Sequence, residues 1–280
     1  MDSKDIFRTI AEEAEKGDLA FPTHAEVTLH VQRALDDPDC HMEVAARLVQ
    51  ADPLLSARVV AVANSSAFNR SGNTITDVRV AVVRLGFRTV RSLATALLMR
   101  QLAGSSAAPA RSRELAAQLW EHTSHVAALA HVITRRVTHL DPETAFFAGI
   151  VHEVGAFYLL SRIRDFPDLL EEDMAADWEE EGQVLVGRAV LKVLAVPEPV
   201  VAGIEAYWRG YLALPPATLG DTLLLADELA PVESPFRRLA NESREGSEPK
   251  IDMAIGEESL KVILGEAADE MASLTKALRS

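Results

Sequence analysis

The stretch from Gly149 to Gly155, GIVHEVG, places a histidine next to a glutamate inside an apolar run. His122 lies in an earlier helical segment, and Asp227 lies much later, in LLADELA. If these segments pack as a helical bundle, His122, His152, Glu153 and Asp227 could converge on one divalent metal ion. Such an ion lowers the pKa of its bound water and would supply a nucleophile for phosphoester hydrolysis.

The same residues also have a structural interpretation. A histidine on a half-apolar helix face is commonly a packed, hydrogen-bonded side chain, and Asp227 could lie on a helix surface. His125 shares a helix face with His122, whereas His131 and His139 have no evident acidic companion. Spacing alone leaves both interpretations open.

Other catalytic patterns are missing from the sequence. It contains no GxxxxGK[ST] phosphate loop, no GxGxxG between a strand and a helix, and no GxSxG turn. Its single cysteine, Cys40, excludes an intramolecular disulfide and a cysteine-rich zinc site, and is typical of a reducing compartment.

Composition indicates a soluble globular protein. The 280 residues are 48% hydrophobic and 25% charged, and the formal net charge of −14 argues against general nucleic-acid binding. No apolar run is expected to reach the roughly 18 residues of a membrane helix, because Arg84, Arg88 and Arg91 interrupt the most hydrophobic region. The N-terminus lacks the apolar core of a signal peptide, so a cytoplasmic protein without membrane contact is predicted.

Helical periodicity predominates, and the fold class is predicted to be all-α. Asp52 and Pro53 are expected to begin one helix, Asp77 to cap the next, and Gly86 to end that one before another helix runs from Phe87. Six further helical segments are predicted: 113–137, 143–163, 178–194, 200–208, 221–230 and 257–278.

Small residues from Gly104 to Pro109 mark the best candidate boundary. It divides the chain into an N-terminal helical part, 1–104, and a second helical part, 105–280, that ends in an amphipathic helix. The polar segment 242–250 before this last helix is expected to be mobile.

Charge is unevenly distributed along the chain. Between Pro53 and Arg100 the only acidic residue is Asp77, whereas 168–181 is rich in carboxylates. These regions could be solvated helix faces. Alternatively, Arg84, Arg88 and Arg91, spaced three and four apart, form one stripe that meets an acidic partner.

Several blocks of sequence are similar to the HDOD family, the HD-related output domains of bacterial signalling proteins. The resemblance spans roughly 21–230, and it is carried by five blocks: FPTHAEVTLHV, LVQADPLLSARVVAVANSSAF, ITDVRVAVVRLGFRTVRSL, LWEHTSHVAALA and FAGIVHEVGAFYL. It implies a two-part helical bundle whose second part, 105–280, is related to HD phosphohydrolases. It also implies a non-catalytic signalling module of the kind often found beside receiver domains or cyclic-dinucleotide enzymes, with partners from two-component or cyclic-dinucleotide pathways. The sequence leaves no room for the sheet of a receiver, so a stand-alone module is expected.

The resemblance assigns positions of the HD metal pattern. His122 matches its first histidine, His152 the histidine of its His-Asp pair, and Asp227 its final aspartate. Glu153 stands where the pattern has aspartate, and its extra methylene displaces the carboxylate oxygens. These four residues are therefore only weak candidates for holding a single ion, and no bound metal or cofactor is predicted.

The resemblance also shows departures from the HD-GYP relatives. Gln183 occupies the place of one further histidine ligand, Tyr207 and Trp208 the place of a histidine pair, and RGYLALPP lacks the GYP motif. Two aromatic rings in a ligand pocket would exclude water and a charged phosphate, so a two-metal hydrolase is not expected. GIVHEVG is accordingly interpreted as a helix-packing element.

Two functions remain. The first is a non-catalytic regulatory module that binds signalling proteins or a small ligand and passes on a shift in helix packing. The alternative is a metal-dependent HD-type phosphohydrolase acting on a nucleotide or cyclic dinucleotide. Nucleic-acid binding through the arginine-rich half is disfavoured by the net charge, and homodimer formation is left open.

Overall fold

The computed structural model describes residues 3–16, 31, 33–35, 37, 39–103, 109–170, 172–210, 213, 216–243 and 265–279. Over these residues the chain is helical and contains no β-strand, which confirms the all-α prediction. The α-helices are α1 (Ser3–Glu15), α2 (Met42–Gln50), α3 (Pro53–Ala63), α4 (Val78–Ala103), α5 (Ala110–Ile133), α6 (Pro142–Val151), α7 (Val154–Ser161), α8 (Glu172–Asp177), α9 (Gln183–Val193), α10 (Glu198–Trp208), α11 (Leu219–Glu228), α12 (Pro235–Ser243) and α13 (Ala268–Arg279). The described residues also form two short π-helical segments, Thr134–Thr138 and Trp178–Gly182, and one 3-10 turn, Pro167–Leu170.

Local signals begin and end helices where the sequence predicts. The carboxylate of Asp52 accepts hydrogen bonds from the first amide groups of α3, and Pro53 occupies its first turn. Asp77 caps α4 in the same way. Gly86 interrupts α4 with φ 74°, a left-handed value that a glycine adopts at no steric cost.

The predicted helix over 143–163 is wrong in one respect, because it is broken at its centre. His152 and Glu153 lie in the turn between α6 and α7, where Glu153 has φ −108° and ψ 25°. In an unbroken helix the carbonyl group of Gly149 would accept the amide of Glu153. It accepts Nδ1–H of the His152 ring, 2.8 Å away, so the side chain competes with the helical ladder.

Among the described residues, one segment is long and apolar enough to cross a membrane, which the sequence did not predict. Pro142–Ser161 comprises α6, the turn and α7, and 89% of its most apolar window is buried inside the protein. His152 and Glu153 interrupt this apolar run in the sequence. They do not lower its mean hydropathy below that of a segment able to cross a membrane. A core helix meets the same test, so the finding is weak evidence for a membrane segment.

The central helix of the bundle is α5. From Val126 to Ile133 every residue is buried, which is typical of a helix surrounded by others. It packs against α6, α11 and α13. At the crossing with α6, a Cβ atom on Gly149 would lie 2.6 Å from Cα of Ala127, so glycine permits the close approach of the two helices.

Both ends of the chain dock onto this bundle. Helix α1 packs on α9, and its Phe7 ring contacts the Trp178 ring edge-on at 5.6 Å. Helix α13 packs on both α3 and α5, so the final amphipathic helix lies against the protein's own core. The division at residue 104 stays a prediction, since 104–108 lies outside the described residues.

Other sequence expectations also fall outside the described residues. They are FPTHAEVTLHV apart from Val31, most of the polar segment 242–250, the first part of the last predicted helix and half of RGYLALPP.

Candidate functional site

His122 lies in the middle of α5 and is completely buried. Its Nδ1 atom is 2.7 Å from the carbonyl oxygen of Val232, and because a carbonyl only accepts, Nδ1 donates. Nε2 therefore faces two carboxylates: it lies 3.1 Å from Asp227 Oδ1 and 3.7 Å from Glu153 Oε2. Burial opposes protonation of the ring, but the charges of Glu153 and Asp227 outweigh it and raise the pKa of His122 to about 9.

His152 is brought to His122 by the close crossing of α5 and α6, and the two ring centroids are 5.6 Å apart. Since Nδ1 donates to Gly149, Nε2 carries a lone pair in the neutral ring, and it lies 4.0 Å from Glu153 Oε2. Complete burial lowers the pKa of His152, so the neutral form is favoured. The lone pair of His152 thus faces a carboxylate oxygen of Glu153.

Asp227 lies near the end of α11, which begins with a capping box between Thr218 and Asp221. Its Oδ2 atom accepts a hydrogen bond from the hydroxyl group of Tyr207 at 3.3 Å and forms an ion pair with Nη2 of Arg237. Burial alone would raise the pKa of Asp227, but the contact with His122 and the charge of Arg237 hold it well below its usual range. Burial raises the pKa of Tyr207, so its hydroxyl stays a donor.

The chain from Asp227 to Arg237 encloses the cluster from one side. Val232 contributes its carbonyl oxygen to His122, and Ser234 donates its hydroxyl hydrogen to Glu153 Oε1 at 2.6 Å. Sequence patterns did not point to Val232, Ser234 or Arg237. The one available signal was the arginine pair at 237–238, ten residues beyond the candidate aspartate.

The distances between the polar atoms of the cluster show whether these residues could hold a metal ion. Nε2 of His122, Nε2 of His152 and Oε2 of Glu153 all lie within 4.8 Å of one another. Among the described residues, Nε2 of His152 and Oε2 of Glu153 are buried without a hydrogen-bond partner, whereas Nε2 of His122 and Oδ1 of Asp227 face each other at 3.1 Å. Imidazole nitrogens and carboxylate oxygens are suitable ligands for one divalent transition metal, and the three nearest atoms fit one ion.

Only one of the three residues that depart from the HD-GYP pattern reaches the cluster. The ring of Tyr207 contacts His152 edge-on, with centroids 5.5 Å apart. The ring of Trp208 packs on Gly187 of α9, where a Cβ atom would lie 2.7 Å from the indole. Gln183 is a half-buried residue at the beginning of α9. The four HD positions are thus brought together, with Tyr207 beside them.

The arginine stripe of α4 contacts the protein itself. Arg84 donates to the carbonyl oxygen of Ala63 at 3.2 Å, and Arg91 donates to that of Ala195 at 2.9 Å. Arg88 forms ion pairs with Asp141 and with Glu143. Beside it, a cavity of about 200 Å³ lies between α4, α6 and α10. Binding of a partner by the stripe stays a prediction, and it would compete with these contacts.

The other candidate histidines named from the sequence, His125, His131 and His139, are not part of the metal-ligand group. His131 is buried with its ring 5.4 Å from that of Phe68 and 6.2 Å from that of Phe146. Burial lowers the pKa of His131 to about 4, so it is a neutral core side chain at pH 7. His125 is half-buried on α5, and His139 is an exposed residue with φ 54° after the π-helical segment.

Comparison with known proteins identifies the family. The sequence model of the HDOD domain matches residues 21–196, more than half of the chain. The protein belongs to the HDOD domain family. The match includes His122, His152 and Glu153 and ends before Tyr207 and Asp227, so it is shorter than the resemblance over 21–230. None of the curated proteins compared with this HDOD chain matches it.

Solved structures have the same fold at low identity. A protein from Shewanella amazonensis SB2B, named as a candidate metal-dependent phosphohydrolase, is 23% identical, with 99% of each chain covered and a TM-score of 0.67. An HDOD domain protein of unknown function from Geobacter sulfurreducens is 23% identical, with 98% of this chain and 97% of that chain covered and a TM-score of 0.59. A protein from Marinobacter aquaeolei VT8, named as a candidate signal transduction protein, is 19% identical and has a TM-score of 0.55, with 100% of this chain and 67% of that chain covered. At these identities the likeness shows the fold alone.

Proposed function

We propose that this protein is a non-catalytic HDOD signalling module. Its HD-like cluster, formed by His122, His152, Glu153 and Asp227, would then be part of the structural core. The observation that carries the proposal is the ion pair between Arg237 and Asp227. Asp227 matches the last ligand of the HD pattern, and its Oδ2 atom is engaged by a guanidinium group and by the hydroxyl of Tyr207. A side-chain cation therefore supplies the positive charge that a metal ion would bring to this carboxylate.

The surroundings of Glu153 support the same proposal. One of its oxygens accepts the hydroxyl hydrogen of Ser234, and the turn from Asp227 to Arg237 packs over the cluster. A hydrolytic site needs room for water and a phosphoryl group beside the ligands. Ser234 donates a hydrogen bond to Glu153, and Arg237, at the start of α12, forms an ion pair with Asp227. Substrate entry would therefore require this part of the chain to move.

As a signalling module, the protein would bind other signalling proteins through its helical surface and transmit shifts in helix packing. The name of the structural neighbour from Marinobacter aquaeolei agrees with this role. Partners from two-component or cyclic-dinucleotide pathways remain expectations from the family resemblance, as does a cytoplasmic location.

A second candidate function is favoured by a specific observation. Nε2 of His122, Nε2 of His152 and Oε2 of Glu153 lie within 4.8 Å of one another and could hold one divalent ion. When bound, such an ion would polarise a phosphoryl oxygen and lower the pKa of a bound water. Metal binding would displace the Nε2 proton of His122, and His122 and His152 would then act as neutral nitrogen ligands, each oriented by its Nδ1–H bond to a backbone carbonyl. Glu153 would be oriented by Ser234.

The two functions are separated by metal content and turnover measured together. Protein purified without chelator should contain metal well below one ion per chain, and should hydrolyse neither a phosphomonoester nor a cyclic dinucleotide when Mn²⁺ is added. His152→Ala serves as the matched variant, since it removes one candidate ligand. One ion per chain together with turnover, both lost in His152→Ala, would establish the phosphohydrolase instead.

A further inference from the structure

Arg58 is a buried cation outside the HD-like cluster. It lies in α3, and only 4% of its surface is exposed. Its guanidinium carbon is 5.7 Å from the centroid of the Trp120 ring on α5. In the described part of the chain, neither Nε nor Nη1 of Arg58 has a hydrogen-bond acceptor, although both atoms are buried.

A third buried donor belongs to the same contact. Nε1 of Trp120 lies in the ring against which Arg58 packs, and it too is buried without an acceptor. Two side chains thus present three donor nitrogens that have lost water and gained no acceptor among the described residues. Native proteins pair the large majority of such groups, so an unpaired set of donors indicates a missing acceptor.

The charges around Arg58 have one sign. Burial and, secondarily, repulsion from Arg100 lower the pKa of Arg58 to about 10, so the group remains protonated at pH 7. The only acidic residue between Pro53 and Arg100 is Asp77, and its carboxylate caps α4. No carboxylate among the described residues forms an ion pair with Arg58.

The ring of Trp120 does not compensate for the lost solvation. A cation over an aromatic face is attracted to it, but this attraction is weaker than the cost of burying an unpaired charge. A guanidinium group offers a planar fork of donors that matches a carboxylate or a phosphate. An oxyanion would satisfy the charge and the open donors at once.

We propose that Arg58 and Trp120 form a binding site for one small oxyanion at the contact of α3 with α5. The shared ligand chemistry is a tetrahedral phosphate or a planar carboxylate, and either can accept from a guanidinium fork. Trp120 is two residues before His122 on α5, so the oxyanion would tie α3 to the helix that carries the HD-like cluster.

The site is tested with the full chain and two anions. Thermal unfolding is followed in inorganic phosphate and in acetate, each against chloride at equal ionic strength and pH 7. The melting temperature of the wild-type protein should rise with anion concentration and then saturate, because a ligand that binds only the folded state stabilises it by mass action. Greater stabilisation by phosphate than by acetate indicates a phosphate group, and the reverse indicates a carboxylate.

Variants separate binding from general salt effects. Arg58→Met keeps much of the side-chain length and removes the charge, so it should abolish the saturable shift. Arg164→Met, which removes an exposed arginine, should keep it. If Arg58→Met does not fold, Arg58→Lys is used instead, because it keeps the charge but not the planar fork of donors. In this variant the apparent affinity for the anion, read from the concentration at which the melting-temperature shift saturates, should fall at least tenfold. No saturable shift in the wild-type protein, or the same shift in the Arg58 variant and the wild type, would overturn the proposal.

Discussion

Arg237, which is half-buried, forms an ion pair with the buried side chain of Asp227, on the carboxylate oxygen that also accepts the hydroxyl hydrogen of Tyr207. The opposite oxygen of Asp227 faces His122. One carboxylate therefore joins a guanidinium group, a phenol and an imidazole, from α12, α10 and α5. Under the proposed function, the guanidinium group of Arg237 takes the place of a metal ion's positive charge at this carboxylate.

Arg237→Met should weaken folding and strengthen metal binding. Loss of the guanidinium group leaves Asp227 buried without its cation, and the free energy of unfolding should fall by about 2 kcal/mol, because breaking a buried pair is costly but solvent partly screens Arg237. The apparent Kd for Mn²⁺ should fall by about tenfold or more. Urea unfolding and calorimetric titration with Mn²⁺ measure the two effects.

Arg238→Met is the matched control for Arg237, since Arg238 contacts Gln118 at the surface. It should leave both quantities nearly unchanged. Metal affinity that is equal in the wild type and in Arg237→Met would show that this guanidinium does not take the place of a metal charge.

Gly149→Ala should destabilise the crossing of α5 and α6. The added methyl group would lie 2.6 Å from Cα of Ala127, so the helices must separate, at a cost of about 1–3 kcal/mol in unfolding free energy. Gly265→Ala is the control, because a Cβ atom there has no neighbour within 4 Å. Equal stability of the two variants in urea unfolding would contradict the close packing at Gly149.

Stability should fall in mild acid because of His131. Burial holds its pKa at about 4 in the folded protein, below the ordinary value of 6.5. As the pH falls from 6.5, the unfolded chain takes up this proton first, so stability present above pH 6.5 is lost progressively down to about pH 4. The loss reaches about 3 kcal/mol for this group.

The measurement is urea unfolding at pH 7.5, 6 and 5. His131→Gln should reduce the dependence of unfolding free energy on pH, whereas His139→Gln, at an exposed position, should not. A slope that is the same in the wild type and in His131→Gln would assign the acid sensitivity to other groups.

Docking of α13 should depend on Arg135. Its guanidinium group contacts both carboxylate oxygens of Glu270, one of them at 2.6 Å, and Glu270 is only 12% exposed. Because paired charge-assisted bonds are among the stronger side-chain contacts, Arg135→Ala should speed amide exchange in α13 by about tenfold. Hydrogen–deuterium exchange of the peptides that cover 268–279 measures the effect.

Arg136→Ala provides the comparison for Arg135. Arg136 contacts Glu266 at 3.3 Å, and that carboxylate is 64% exposed, so the pair contributes little. Exchange in α13 should stay near the wild-type rate. Equal acceleration by both variants would indicate that general charge, rather than the Arg135–Glu270 pair, holds the helix.

Much of the fold could be predicted because its signals are local. Asp52, Asp77 and Gly86 act on backbone groups within one turn of themselves, so their effect is visible in the sequence. The break between α6 and α7 has no such local signal, although it lies within GIVHEVG. Apolar periodicity runs through His152 and Glu153 without a proline or a capping residue, and the break depends on the side chain of His152 reaching Gly149.

The candidate site was predictable in its members and not in their roles. His122, His152, Glu153 and Asp227 were named from motif and spacing, and the structure brings them together. Arg237 was not named, because an arginine on a short helix after a turn has no distinctive pattern. Likewise, three arginines at helical spacing on α4 look alike in sequence, yet Arg84, Arg88 and Arg91 contact different parts of the protein.

The amino-acid sequence by itself determined the helical class, the positions of several helix ends and the residues that could bind a metal. These depend on periodicity and on contacts within a few residues along the chain. Tertiary structure alone decided that Asp227 faces Arg237 and that Arg58 lies buried against Trp120. Such pairings arise from the way helices cross, and desolvation at the crossing determines which charge a buried group meets.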